Sequence, residues 1–177
     1  MQPAPTVHQV RDAVSAMLAS DWPTTDAERR AWLHGLGLSP SVPLRAAPNG
    51  GTGIDGWGNA SLMWGVHDRE FVGVGFFLWA GLPDAEVGRL GDDLLDALTS
   101  ELGTASEQRG TPHGGRTAFW AHDGRTVDAY IHRASSPRPG APTLPPSVQL
   151  HVDDTERAAR READARANRP QRSSTGT

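Results

Sequence analysis

The stretch SLMWGVHDREFVGVGFFLWAGLPDAEVGRLGDDLLDALTSELG, residues 61–103, changes its hydrophobic period once, and that change decides the fold. In its first half Leu62, Trp64 and Val66 alternate with smaller residues. The polar His67-Asp68-Arg69-Glu70 follows, and then the apolar run Phe71 to Trp79. A period of two interrupted by a polar turn predicts a β-hairpin whose second strand is buried. In the second half Val87, Leu90, Leu94, Leu95, Leu98 and Leu102 recur at helical spacing. Pro83, with Asp84 and Glu86 behind it, opens this helix, predicted over 83–102, and Gly103 closes it.

Upstream, Val7, Val10, Val14, Met17 and Leu18 form one apolar stripe, which predicts a helix over Thr6 to Ser20. Thr25 and Glu28 have capping-box spacing ahead of Trp32, Leu33 and Leu36, so a shorter helix stops at Gly37. The short link between the two predicts that they fold back on each other. A strand over Val42 to Ala46 and a flexible loop over Asn49 to Gly58 are expected next. Downstream, a Gly-rich connector, 110–116, leads to a second hairpin, Thr117 to Ala121 and Thr126 to His132, turning at His122-Asp123-Gly124. A Pro-rich loop over 135–146 precedes a strand at Ser147 to Val152. Asp153 and Glu156 then cap a helix over Asp154 to Asn168 that offers mostly Ala for burial. The expected order is α-α-(β)-β-β-α-β-β-β-α. This is an α+β domain, 1–168, with an antiparallel sheet of five to six strands packed by helices, and a disordered tail, 169–177.

Composition narrows the chemistry. The 177 residues contain no Cys and no Lys, the 17 basic residues all being Arg. Thiolate metal sites, Cys nucleophiles, a Walker lysine and a Schiff-base lysine are thereby excluded. Leu, Ile, Val and Phe make up about 18% of the chain, while six Trp and a net charge of only −4 argue for a modest, Trp-heavy core. Residues 157–172 carry six Arg against Glu162 and Asp164, a local +4 that leaves about −8 elsewhere. An acidic body repels a duplex, so no nucleic-acid partner is expected. The absence of Lys amid Ala, Arg, Gly and Pro points to a GC-rich, actinobacterial genome. With no secretory or spanning segment visible, a cytoplasmic chain is expected.

The two His-Asp pairs, His67-Asp68 and His122-Asp123, fall at predicted hairpin tips, and their surroundings rhyme: WGVHDREFV against WAHDGRTV. Turn chemistry accounts for both Asp residues, and consecutive strand positions point to opposite faces, so no metal site is expected. The Gly-rich segments lack Lys and do not run from a strand into a strong helix, so no nucleotide cofactor is expected. Trp57, beside Asp55 in the Gly-rich loop, either folds back over the core or anchors a partner. Asp55, Trp57, His67, Asp68, Arg69, His122 and Asp123 are the nominated partner-binding residues.

The chain resembles a group of small uncharacterised actinobacterial proteins of the immunity-protein and secretion-chaperone-like type. The likeness rests on Met17-Leu18, Asp21-Trp22-Pro23-x-Thr25, Trp32-x-x-x-Leu36-Gly37, Leu82-Pro83-Asp84, Leu98-Thr99-x-x-Leu102-Gly103 and Trp120…Asp123-Gly124, and spans about residues 10–132. It implies a sheet covered by helices and a non-enzymatic role: neutralising a cognate toxin by direct binding. The alternatives are a secretion chaperone or adaptor, and an enzyme using His67, His113 or His122. The long Pro-rich loop and basic tail depart from a chaperone.

Overall fold

The computed structural model describes residues 4–39, 49–112, 114–135 and 143–168. They form α1 (Val7–Ala19), α2 (Asp26–Gly35), β1 (Asn49–Gly53), β2 (Ser61–His67), β3 (Glu70–Leu78) and α3 (Asp84–Leu102). β4 (Glu107–Gly110), β5 (Arg116–His122), β6 (Arg125–His132), β7 (Ser147–Asp154) and α4 (Thr155–Ala167) follow. The fold is α+β, and its sheet has seven strands rather than five or six, in the order β1-β2-β3-β7-β6-β5-β4, antiparallel throughout. The two unforeseen strands sit at the edges. β1 lies in the segment read as a flexible loop, and β4 is the fully exposed EQRG. Neither carries an alternating apolar pattern, because an edge strand can be held by backbone pairing alone. The strand expected over Val42 to Ala46 lies outside the described residues.

The chain lays down two three-stranded units joined by α3, and β7 then inserts between β3 and β6 to make one sheet. Its helix-covered face carries Leu62, Trp64, Val74, Phe76, Leu78, Val127, Ala129, Ile131, Val148, Leu150 and Val152, all buried in one core with α1 and α3. α1 packs on α3 rather than folding back on α2. Val10, Val14 and Met17 face Leu94, Leu95 and Leu98 in that core, whereas α2 turns its Trp32 toward Trp22 and Phe71. α3 approaches β6 closely because Gly91 has no side chain: a Cβ there would stand 2.8 Å from Ile131. The helix start is tied down by Asp84, which accepts from Arg133 at 2.6 and 3.0 Å and from the Ala134 N–H at 2.7 Å.

A β-bulge between Gly65 and Val66 breaks the alternation of the first hairpin. Phe71 therefore joins the helix-covered core, while Val72, equally buried, lies outside that cluster and 3.8 Å from where a Gly65 Cβ would stand. This places Val72 under α4, on the second face. α4 is capped by Asp154, not Asp153; the Asp154 carboxylate accepts from the Arg157 N–H at 3.0 Å, because β7 runs two residues further than expected. As its Ala-rich face suggested, α4 buries no residue, and arginines hold it instead. Arg157 donates to the carbonyls of Phe71 (2.9 Å) and Pro23 (3.0 Å), and Arg160 pairs with Glu70.

Candidate functional site

Register settles how the two hairpin tips are related. β3 and β6 both run antiparallel to β7, hence parallel to each other, and Gly73 and Thr126 face Asp153 from either side. Both tips thus project from the same end of the sheet, about three strand spacings, roughly 14 Å, apart. Each is a two-residue loop with both residues at positive φ: Asp68 (+48°) and Arg69 (+68°), Asp123 (+44°) and Gly124 (+77°). That is the primed-turn geometry that matches strand twist. The Asp68 and Asp123 side chains are 84% and 93% exposed. α4 starts beside the second tip, where the Thr155 N–H donates to the Gly124 carbonyl at 3.0 Å. It ends its contacts at the first, where His67 Nε2 meets Asp164 Oδ2 at 2.9 Å.

The left-handed turn also corrects one expectation. His67 and Asp68 do not point to opposite faces: Asp68 Oδ2 lies 3.8 Å from His67 Nε2. With Asp164 the ligand atoms all fall within 4.8 Å of one another, so this trio could hold a divalent cation, through largely exposed groups. His122 and Asp123 repeat the 3.8 Å approach without a third ligand of this kind among the described residues.

The remaining nominated residues lie elsewhere. Asp55 and Trp57 follow β1, whose Gly53 pairs with Ser61 at the start of β2, so they occupy the opposite end of the sheet from the tips. Asp55 is exposed and its N–H donates to the Ser39 carbonyl at 2.9 Å. Trp57 is only 7% exposed and stacks on Phe76, ring centroids 5.9 Å apart. Of its two readings the structure takes the fold-back, which removes Trp57 as a projecting anchor. One edge of it lines a recess of about 290 Å³ with Gln9, Asp12, Ala16 and Leu36. His67 and His122 stand on β2 and β5, four strand spacings or roughly 19 Å apart, and do not converge. His113 lies outside the described residues.

The second face of the sheet holds groups not nominated from the sequence. β6 presents Asp128, Tyr130 and His132 there, and β7 presents Gln149, His151 and Asp153, alternating with buried Val127, Ala129, Ile131, Val148, Leu150 and Val152. Asp128 pairs directly with His151, and Asp153 is its diagonal neighbour. On β3 the facing positions are Gly73 and Gly75. The Asp153 carboxylate lies over the first, 1.5 Å from where a Cβ would be, and the His151 ring over the second, at 2.9 Å. Bare backbone is what lets both side chains lie flat on the sheet.

The electrostatics follow from this placement. Burial raises Asp128 to about 6. Burial likewise raises Asp153 to about 6, partly offset by the positive charge of Arg161, with Asp128 and Glu162 adding to the rise. Burial, then Asp128 and Asp153, push the Tyr130 phenol up, and burial with Arg161 pushes His151 down. Gln149 explains how a neutral His151 is held: its Nε2 stands 2.7 Å from His151 Nε2, and its Oε1 3.3 Å from His132 Nε2. The consistent assignment has His132 donating to the amide oxygen and the amide N–H donating to His151. Tyr130 packs edge-on against Phe119 (5.7 Å) and His151 (6.1 Å), completing a half-exposed aromatic and acidic surface.

This surface required the pairing of β6 with β7, which no local pattern reveals; the only signal was a polar residue at every second position of both strands. No protein-family model, no curated protein and no solved structure matches this chain. Among the described residues no helix is long and apolar enough to cross a membrane.

Proposed function

We propose that this chain is a non-enzymatic protein-binding module of the immunity type, which neutralises a cognate toxin by covering it. The observation that carries the reading is the pair of two-residue tips at one end of the sheet, with Asp68 and Asp123 almost fully exposed. Arg69 strengthens it. The second tip places Gly124 at its positive-φ position, where glycine is unstrained, but the first tip places Arg69 there, exposed and at conformational cost. Among the described residues Arg69 makes no ion pair or hydrogen bond that would repay this cost. Acidic groups on short turns suit a basic partner: they steer its approach, and the two-residue turn leaves little backbone to order on contact. Cytoplasmic residence belongs to the same reading.

The partner of such a module is expected to be encoded nearby, so the test is binding to the product of the adjacent gene, with the Asp68→Ala/Asp123→Ala double variant. The expected result is a slower, less salt-dependent association and a loss of about 2 kcal/mol or more if either residue anchors the partner. Unchanged affinity and unchanged salt dependence in a folded double variant would move the interface off the tips. A neighbour that does not bind at all would sink the immunity reading. Binding confined to an unfolded or targeting segment of that neighbour would favour the adaptor alternative.

A further inference from the structure

We propose that the second face of the sheet receives an arginine side chain of the protein partner, its guanidinium seated between Asp128 and Asp153 and flanked by Tyr130 and His151. This rests on the protein-binding reading and places a specific contact within it.

Three observations carry it. First, the two carboxylates are half-buried, yet among the described residues neither has a hydrogen bond or an ion pair. Carboxylates removed from water are normally paired or hydrogen-bonded, so two that touch no cation, and of which only Asp153 is partly offset by the charge of Arg161, mark a place for one. The chain's own Arg161 reaches over Gly65, its Nη1 2.8 Å from where a Cβ would stand there, and pairs with neither Asp. Second, the spacing suits a planar fork. As diagonal cross-strand neighbours the two aspartates have Cα atoms roughly 7–8 Å apart, and a guanidinium carries donors on more than one edge, whereas an ammonium is a point charge. Third, the walls are aromatic. Tyr130 stacks on His132 and stands edge-on to Phe119 and His151. It lies close enough to both carboxylates for their charge to raise its phenol, so an aromatic group borders the seat of a weakly hydrated cation.

A divalent metal is the poorer occupant. The described carboxylates and imidazoles close enough together to share an ion are His67, Asp68 and Asp164, not these. A polypeptide is favoured over a free small molecule because the surface is broad and half-exposed. It also continues from the end of the sheet that bears the tips: Asp153 faces Gly73 and Thr126, three residues in from Glu70 and one from Arg125.

The probe is N-acetyl-argininamide, a blocked arginine, titrated at pH 7.5 into the full chain and followed by the amide resonances of Asp128, His151 and Asp153 and the Tyr130 ring signals. Saturable shifts confined to this face are expected, in the millimolar range for so small a ligand. N-acetyl-citrullinamide, the uncharged isostere, should bind at least about tenfold more weakly, and Asp128→Asn and Asp153→Asn should each lower affinity comparably while keeping a folded spectrum. Equal binding of the citrulline probe, shifts confined to the Asp68 and Asp123 tips, or no shift at all would overturn the proposal. So would free arginine binding about tenfold more tightly than the blocked form, because the site would then belong to a small molecule. Failure here with the tip double variant still defective leaves the protein-binding reading intact; loss of both removes it.

Discussion

The two faces of this sheet are made by the same strands and differ in almost everything else. On one, Val74, Phe76, Leu78, Val127, Ala129, Ile131, Val148, Leu150 and Val152 close against α1 and α3, and residues from Val14 to Leu98 are withdrawn from water. On the other, the interleaved positions hold Gly73, Gly75, Asp128, Tyr130, Gln149, His151 and Asp153, covered at one end only by an arginine-rich helix that buries none of its own residues. Stability is concentrated on the helix-covered face, which frees the second to keep two poorly compensated carboxylates. The comparison separates what folds the chain from what remains available for contact.

The largest expected effect lies on the covered face. Leu94→Ala should destabilise by about 2–5 kcal/mol in denaturant unfolding, since Leu94 is fully buried between α1 and the sheet. Asp92→Ala, on the outer side of α3, loses an exposed pair with Arg116 and a weaker attraction to Arg133, and should cost under about 1 kcal/mol. Comparable losses from the two would break the account of that face.

Two glycine substitutions sharpen the contrast. Gly91→Ala drives a methyl into Ile131, which is locked in the core, and should cost about 1–3 kcal/mol. Gly73→Ala meets the Asp153 carboxylate, which can swing out, and the Val152 carbonyl at 3.0 Å, which must give by only a few tenths of an ångström, so it should cost no more than about 1 kcal/mol. The same substitution should return Asp153 toward the ordinary carboxylate range, readable by carbon-13 titration. A Gly73→Ala cost equal to that of Gly91→Ala would show the second face to be as tightly packed as the first.

A smaller effect separates the faces by pH. Asp128 and Asp153 are raised in the folded state, so their contribution to stability is fully present below about 3.8 and is lost as the pH rises through about 6. Asp153→Asn should therefore stabilise the chain at pH 7, by on the order of 1 kcal/mol once solvent screening is allowed for, and by less at pH 4. Asp84 behaves oppositely. Its hydrogen bonds from Arg133 and from the Ala134 N–H hold it down at about 2, so its contribution is present above about 3.8 and is lost as the pH falls through 2. Thermal melts of Asp153→Asn and Asp84→Asn across pH 2–8 check both signs.

The sequence was most legible where the period was strong. Leu62 to Trp79, Pro83 to Gly103 and the turn at Asp123-Gly124 announced two hairpins and the main helix within a residue or two of their observed ends. It was illegible where pairing rather than pattern makes the element: β1, in NGGTG, and β4, in EQRG, are strands only because a neighbour offers them a backbone ladder. The tips were legible as turns. That they share an end depends on β7 inserting between β3 and β6, a long-range fact absent from local spacing. Trp57 shows the converse limit, since only Phe76, across the fold, decides whether it is buried. Asp128, His151 and Asp153 read as ordinary outward residues of two separate strands until β6 and β7 are side by side.

Hydrogen–deuterium exchange on the complex with the product of the adjacent gene tests the central claim most directly. The account predicts new protection at residues 67–70 and 122–125 and along β6 and β7, with the outer surfaces of α1 and α3 unchanged. Protection confined to the outer surfaces of α1 and α3, with both tips and the second face exchanging as in the free chain, would contradict it.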